Sequence, residues 1–165
     1  MGRRRGRLVM ENWYNKVVKD WSKIPEAVDY FTNEVAEARK EVKIYGNVEK
    51  NATHLPSYVE LRFAQLQELE AILEHLNIQL RKKRSEYLRK YLENYNKALS
   101  SRDAEKYADG EQEVVAISEL INQVAYTRNQ YLGITKGFEI KHFQLTNIIK
   151  LRVAGMEDAE INNRH

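Results

Sequence analysis

The sequence contains no cysteine among its 165 residues. This absence excludes a disulfide framework, a thiolate zinc site, an iron–sulfur cluster and a cysteine nucleophile. Glycine and proline are also scarce, with 7 and 2 residues, whereas 31% of the residues are charged and 42% are hydrophobic. Few chain breakers and many charges are typical of long helices and argue against a β-sandwich or a barrel. We therefore predict an all-α protein whose long amphipathic helices form helical hairpins with coiled-coil-like packing.

Long hydrophobic runs are absent as well. No stretch of about 18 apolar residues that could span a membrane occurs. The basic start, Arg3 to Arg7, leads only into Leu8, Val9 and Met10 before Glu11, and this apolar stretch is too short for a signal peptide. We therefore expect a cytoplasmic protein.

The common catalytic and nucleotide-binding patterns are missing too. Neither a Gly-x-x-x-x-Gly-Lys-Ser/Thr loop nor a Gly-x-Gly-x-x-Gly turn occurs, which argues against an ATP-driven motor. The histidines, at 54, 75, 142 and 165, are scattered along the chain. Glu139 and His142 match the Glu-x-x-His pattern of di-iron bundles, but that site needs a second copy, which the sequence lacks. We predict no catalytic residue, no metal and no cofactor, and hence no enzyme.

Turn formers and caps divide the chain into five segments. Pro25 and Gly46 bound a predicted helix that reaches about Tyr45, and Ser57 with Glu60 resembles a capping box that opens the next helix. Ser100 and Ser101 are the next cap candidates, and Gly133 and Gly137 predict another helix end. The predicted segments are a basic arm (1–10), an N-terminal helical region (11–56), a long helix (57–99), a C-terminal helical region (100–155) and a polar tail (156–165).

Two apolar ladders follow heptad spacing, which is typical of helices that pack along one seam. A helix of about 40 residues would be about 60 Å long. Such a helix needs a hairpin partner or another subunit. The first ladder is Leu66, Leu69, Leu73, Leu76 and Leu80, and the second is Val114, Ile117, Ile121, Val124, Arg128 and Tyr131.

Cations and tyrosines cluster in the second half of the predicted long helix. Between Arg81 and Lys106 nine Lys or Arg stand against four Asp or Glu, whereas Tyr107 to Ala125 carries four acids and no cation. Tyr87, Tyr91 and Tyr95 recur every four residues. Cations for phosphates and rings for bases are what single-stranded DNA binding requires, but the tyrosines could equally join a helix interface. We call the candidate DNA-binding residues the basic segment: Arg81, Lys82, Lys83, Arg84, Tyr87, Arg89 and Lys90.

Two short patches resemble a known family. Residues 82–87, Lys-Lys-Arg-Ser-Glu-Tyr, look like the Lys-x-Arg-x-x-Tyr DNA-binding segment of the UvsY-type recombination mediators of T-even-like phages. Residues 136–142, Lys-Gly-Phe-Glu-Ile-Lys-His, resemble the C-terminal signature of that family. The resemblance covers about 70 residues, from Arg81 to Ile149. The chain departs from the family at Leu88, where a second tyrosine is common, and at 96–100, where a glycine-containing loop is common.

The resemblance implies a non-enzymatic protein in the host cytoplasm. It would hold single-stranded DNA and load a RecA-like recombinase onto DNA coated by single-strand-binding protein, in recombination, repair and recombination-dependent replication. Lys82 and Arg84 would contact the strand, with Tyr87 as a further candidate. The family also implies a ring-shaped homo-oligomer, a hexamer or heptamer, built through the C-terminal helices; the candidate contacts are Val114, Ile117, Ile121, Val124, Phe138 and Ile140. The alternative function is a structural or adaptor coiled-coil oligomer without a nucleic-acid role.

Overall fold

The computed structural model describes residues 11–94 and 99–156, and within these ranges the chain is helical without strands. This confirms the all-α prediction. The helices are α1 (Trp13–Lys19), α2 (Ile24–Val42), α3 (Val48–Asn94), α4 (Ser101–Asp109) and α5 (Gln112–Val153), with a 3₁₀ turn (Trp21–Lys23) before α2. The predicted basic arm, Tyr95 and the polar tail beyond Met156 lie outside the described residues.

Helix α3 begins at Val48, so the prediction that Ser57 opens it is wrong. Asn47 caps the helix instead, because its Oδ1 accepts the backbone N–H of Lys50 at 3.1 Å. The Ser57 hydroxyl donates to the carbonyl of His54 at 2.8 Å, within the helix. Pro56 removes one intrahelical hydrogen bond, and its ring crowds the preceding turn. The helix continues through it because the first turns of α3 bury apolar side chains in the core.

Helix α5 runs without a break, so the predicted end at Gly133 and Gly137 is also wrong. Gly137 lies where α2 crosses α5 closely. A Cβ atom at this position would be 2.9 Å from Cγ1 of Val42, which is closer than van der Waals contact allows. The glycine therefore permits helix packing and does not terminate the helix.

Helices α2, α3 and α5 form a three-helix bundle in which α3 is antiparallel to the other two. The leucine ladder of α3 is buried from Leu66 to Leu76, against α2 and α5 of the same chain. The 47 residues of α3 extend about 70 Å. Helix α2 has only 19 residues, so α3 extends far past it. Helix α5 is the long hairpin partner that the sequence required, and α3 beyond Leu76 has α4 and the start of α5 as its neighbours.

A polar network holds α2 on α3 inside the bundle. The Arg62 side chain is only 4% exposed, and its guanidinium donates to Glu41 at 2.8 and 2.6 Å and to Glu34 at 2.5 Å. Gln65 donates to Glu34 at 2.9 Å, and its Oε1 lies 3.1 Å from the Tyr131 hydroxyl. Hydrogen bonds from Gln65 and Arg62 lower the pKa of Glu34. Satisfied buried networks of this kind favour one helix register.

His75 connects this bundle to the 3₁₀ turn and makes its stability dependent on pH. The Trp21 indole N–H donates to His75 Nε2 at 3.3 Å, so that nitrogen carries no proton in the folded state. Burial lowers the pKa of His75, and the nearby charge of Lys82 adds to the effect. The stabilisation is therefore complete above the unfolded pKa of about 6.5, and it is lost as pH falls through the lower folded value.

As pH falls below about 6.5, we expect the thermal unfolding midpoint of the wild type to fall more steeply than that of His75→Gln. Glutamine keeps an acceptor for Trp21 but does not titrate. Unfolding is followed by circular dichroism at closely spaced pH values, and the remaining histidines and carboxylates are common to both proteins. Parallel pH profiles for the two proteins would contradict a role for His75.

Candidate nucleic-acid interface

The basic segment lies on the part of α3 that extends beyond the bundle core. The last buried residue of α3 is Leu76, and the helix then continues to Asn94 with α4 packed along it. Helix α4 is capped by Ser100, whose hydroxyl oxygen accepts the backbone N–H of Asp103 at 3.2 Å, as the sequence predicted for this serine. Ala104 and Ala108 are buried, and their small side chains allow α4 to approach closely. The structure therefore sets a second helix beside the predicted DNA-binding residues.

Arg84 is held by an acidic residue of this neighbouring helix. Its guanidinium makes two hydrogen bonds to Asp109, with Nε to Oδ1 at 2.5 Å and Nη2 to Oδ2 at 3.1 Å. This bidentate geometry is the one with which arginine also binds a phosphate group. A carboxylate of the same chain thus occupies the bidentate position on Arg84.

Lys83 and Arg81 are also paired with carboxylates. Lys83 Nζ lies 3.0 Å from Glu113 at the start of α5 and 3.2 Å from Glu86 on its own helix, and these two acids raise the pKa of Lys83. Arg81 lies 3.1 Å from Glu74, two turns earlier on α3. The acidic block that follows Tyr107 in the sequence therefore folds back on the basic block. We call Asp109, Glu111 and Glu113 the acidic cluster.

Tyr87 and Tyr91 lie close to the acidic cluster. The Tyr91 hydroxyl donates to Glu111, and the Tyr91 ring packs on Tyr107 of α4 with ring centroids 5.7 Å apart. Tyr87 is half-buried, and desolvation together with Glu113 and Glu111 raises its pKa. The described rings thus join a helix interface, which is one of the two alternatives that the sequence left open for them.

The remaining cations of the basic segment lie in solvent. Lys82 and Arg89 make no ion pair with any residue of the described ranges. They are seven residues apart, so they share one side of α3 two turns apart. Lys90 is also exposed, with Nζ 5.7 Å from the centroid of the Tyr87 ring. Lys82, Arg89 and Lys90 are therefore the cations of the basic segment that remain available to an external anion.

The predicted oligomerisation residues have different environments. Val114, Ile117, Val124 and Phe138 are buried within this chain, and Ile121 packs on its core. Ile140 is exposed. Burial inside one chain explains the apolar seam of α5 without a second subunit, so only Ile140 of these six is open to a partner in this structure.

An apolar groove of about 730 Å³ lies between α3 and α5, on the side of the bundle that α2 does not cover. Phe63 and Phe143 line it and are 51% and 65% exposed. Ile140 neighbours Phe143 on the surface of α5. Exposed aromatic residues around one groove are typical of protein contact surfaces.

The described residues offer neither a metal site nor a membrane span. No cluster of three or more His, Asp or Glu within 11–94 and 99–156 has an arrangement that could hold a metal ion. Among the helices of these ranges, none combines the length and the apolar character that crossing a bilayer requires.

Comparison with known proteins gives no relative: no family model matches the chain, and no curated protein or solved structure is significantly similar to it.

Sequence reasoning missed the pairing between the basic segment and the acidic cluster. The signal was present, because a block with nine cations is followed by one with four acids and no cation. What the sequence did not reveal is that a short helix turns the chain back, so that Asp109 and Glu113 meet Arg84 and Lys83.

Proposed function

We propose that this protein is a single-stranded DNA-binding recombination mediator that assists the loading of a RecA-like recombinase onto DNA coated by single-strand-binding protein. The observation that carries the proposal is a guanidinium held in bidentate geometry. Beside it on the same helix are exposed cations that form no ion pair with any described residue. Phosphodiesters form the same bidentate contact with arginine. The mediator role itself depends on the resemblance of residues 82–87 and 136–142 to the phage family.

In this proposal the strand first meets Lys82 and Arg89, the cations without a partner among the described residues. Lys83 and Arg84 join when phosphates displace the acidic cluster. Surface ion pairs contribute only about 0–1 kcal/mol each, so a polyanion can compete for their cations. Several subunits would each add such contacts along one strand, which converts modest affinity into avidity.

Self-association belongs to the same proposal. We place it on the apolar groove that Phe63 and Phe143 line, because these side chains are exposed and the seam of α5 is already packed within the chain. A second copy covering the groove would remove two aromatic rings from water. A ring of subunits would then carry one basic segment per copy.

Binding to fluorescent oligo-dT, measured over a series of salt concentrations, tests the nucleic-acid role. We expect binding that prefers the single strand over a duplex of equal length. Lys82→Ala with Arg89→Ala should bind more weakly, and its log–log salt slope should be shallower by about 1.4, since each lost contact on a single strand removes about 0.7.

The matched control for this pair is Arg39→Ala with Lys150→Ala, which removes the same charge from exposed sites on α2 and α5. If both double variants weaken binding equally, net charge and not the basic segment carries the affinity. If the wild type fails to bind at low salt, the mediator proposal is wrong.

A second candidate function is a structural or adaptor oligomer. The ion pairs of Arg84 and Lys83 favour it, because cations that pair with carboxylates of the same chain can hold α4 and α5 against α3. Under this alternative the oligo-dT titration gives no binding for any variant, while self-association persists.

A further inference from the structure

A second concave surface lies at the corner where α2 ends and α3 begins. It encloses about 630 Å³ between the α2–α3 connection, the first turns of α3, and α5. Lys50 on this surface and Lys83 of the basic segment are separated by 33 residues of one helix, which corresponds to about 50 Å. The corner cavity is therefore distinct from the candidate DNA-binding surface.

A buried lysine lies at the base of the cavity. Lys141 of α5 is only 4% exposed, and its ammonium donates to the carbonyls of Glu41 at 2.7 Å and Lys43 at 3.0 Å. An ammonium has three N–H donors, so one remains beyond these two bonds. Burial lowers the pKa of Lys141, and an anion in the cavity would favour its charged form.

The charges around the cavity do not balance. Its two carboxylates are already paired, Glu37 with Lys40 at 2.7 Å and Glu41 with Arg62 at 2.6 Å. Lys43 and Lys50 also line the cavity, and neither forms an ion pair with a residue in the described parts of the chain. The cavity thus presents an excess of positive charge to an incoming ligand.

Aromatic rings stand beside these cations. Tyr45, His54 and Tyr58 line the same cavity, and the rings of His54 and Tyr58 are stacked with centroids 6.0 Å apart at 28°. The connection that carries Tyr45 is held in place, because Asn51 Nδ2 donates to the carbonyl of Tyr45 at 2.8 Å. Gly46 adopts φ of 70°, which gives the chain its turn here. Cations next to aromatic rings suit a phosphate that is attached to a base.

We propose that the corner cavity binds the phosphate group of a nucleotide, with Lys43, Lys50 and Lys141 as cationic contacts and Tyr45 as a stacking surface for the base. The phosphate comes from a free nucleotide or from a single strand, and both sources offer the same chemistry. This site does not depend on the proposed recombination function, since none of its residues belongs to the basic segment.

Titration followed by amide chemical shifts in NMR spectra tests the site. The protein used is the full chain carrying Lys82→Ala and Arg89→Ala, so that the basic segment contributes little. The probes are inorganic phosphate, deoxythymidine 5′-monophosphate and an oligo-dT of six nucleotides without a terminal phosphate. We expect saturable shifts at Gly46 and Asn51 with the mononucleotide, the oligonucleotide or both. The probe that binds more tightly shows whether the phosphate comes from a free nucleotide or from a single strand.

Lys43→Gln with Lys50→Gln should weaken this binding about tenfold, since two exposed cationic contacts are lost. Both substitutions leave the backbone acceptor for Lys141 and the cap of α3 in place. The control, Lys136→Gln with Lys150→Gln, removes the same charge from exposed positions on α5 and should leave the affinity unchanged.

Absence of saturable shifts with every probe would overturn the proposal, and so would equal affinity in the two double variants. If inorganic phosphate binds as tightly as the mononucleotide, the stacking role of Tyr45 is wrong. Because oligo-dT binding at the basic segment is measured separately, this site and the proposed function can fail independently.

Discussion

Asp109→Asn with Glu113→Gln raises the affinity for oligo-dT about tenfold at low salt, if the basic segment binds a strand as proposed. Both carboxylates compete with phosphates for Arg84 and Lys83. Water and salt screen exposed ion pairs such as these, so each carboxylate that is removed frees one cation for a phosphate contact. The two released cations should also make the log–log salt slope steeper by about 1.4.

Glu26→Gln with Asp29→Asn is the matched control for the acidic pair. It removes two carboxylates from exposed positions on α2, far from α4. The fold of both double variants is checked by circular dichroism. If the control raises the affinity as much as the acidic pair does, the gain reflects net charge alone. The acidic cluster then does not compete with the strand for Arg84 and Lys83.

Val124→Asp unfolds the chain, with a loss of more than about 4 kcal/mol of stability. Val124 is 1% exposed and packs in the core shared by α2, α3 and α5. A carboxylate there loses its hydration among the apolar side chains of the core. From the apolar seam alone, the same substitution is expected to disrupt this helix and, with it, the oligomer. The measurement is urea unfolding, with Gln123→Asp as control, one residue away on the exposed side of α5.

The companion variant Phe143→Asp separates folding from assembly. Phe143 is exposed beside the apolar groove, so the charge remains in water in a single chain. We expect this variant to stay folded and to sediment as a smaller species than the wild type. A folded but dissociated Val124→Asp protein would reverse the assignment, since it would place Val124 between subunits.

Local pattern was enough to predict most of the helices but misplaced two of their ends. Ser57 and Glu60 match a capping box, yet Asn47 caps α3 because the turns from Val48 onward bury apolar side chains. Gly137 resembles a terminator, yet it lies where Val42 crosses α5. A cap or a glycine indicates a helix end only by local preference, and tertiary packing is stronger than that preference.

The candidate site could be located but not described from the sequence. The cations of α3 were identified by their spacing, and two of them, Lys82 and Arg89, are exposed and unpaired with described residues. The carboxylate partners of two other cations, Arg84 and Lys83, lie 25 and 30 residues away along the chain. No periodicity connects positions so far apart on different helices, so the sequence could not pair them.

The sequence by itself determined the helical class, the leucine ladder of α3 and the separation of basic from acidic blocks, because each follows from side chains that are close along the chain. Only the tertiary structure decided that the seam of α5 packs within one chain and that Asp109 and Glu113 bind the cations of α3. It also brought Lys43, Lys50 and Lys141 to one cavity. These contacts join α2, α3, α4 and α5, and their geometry depends on how the helices cross, which no local pattern specifies.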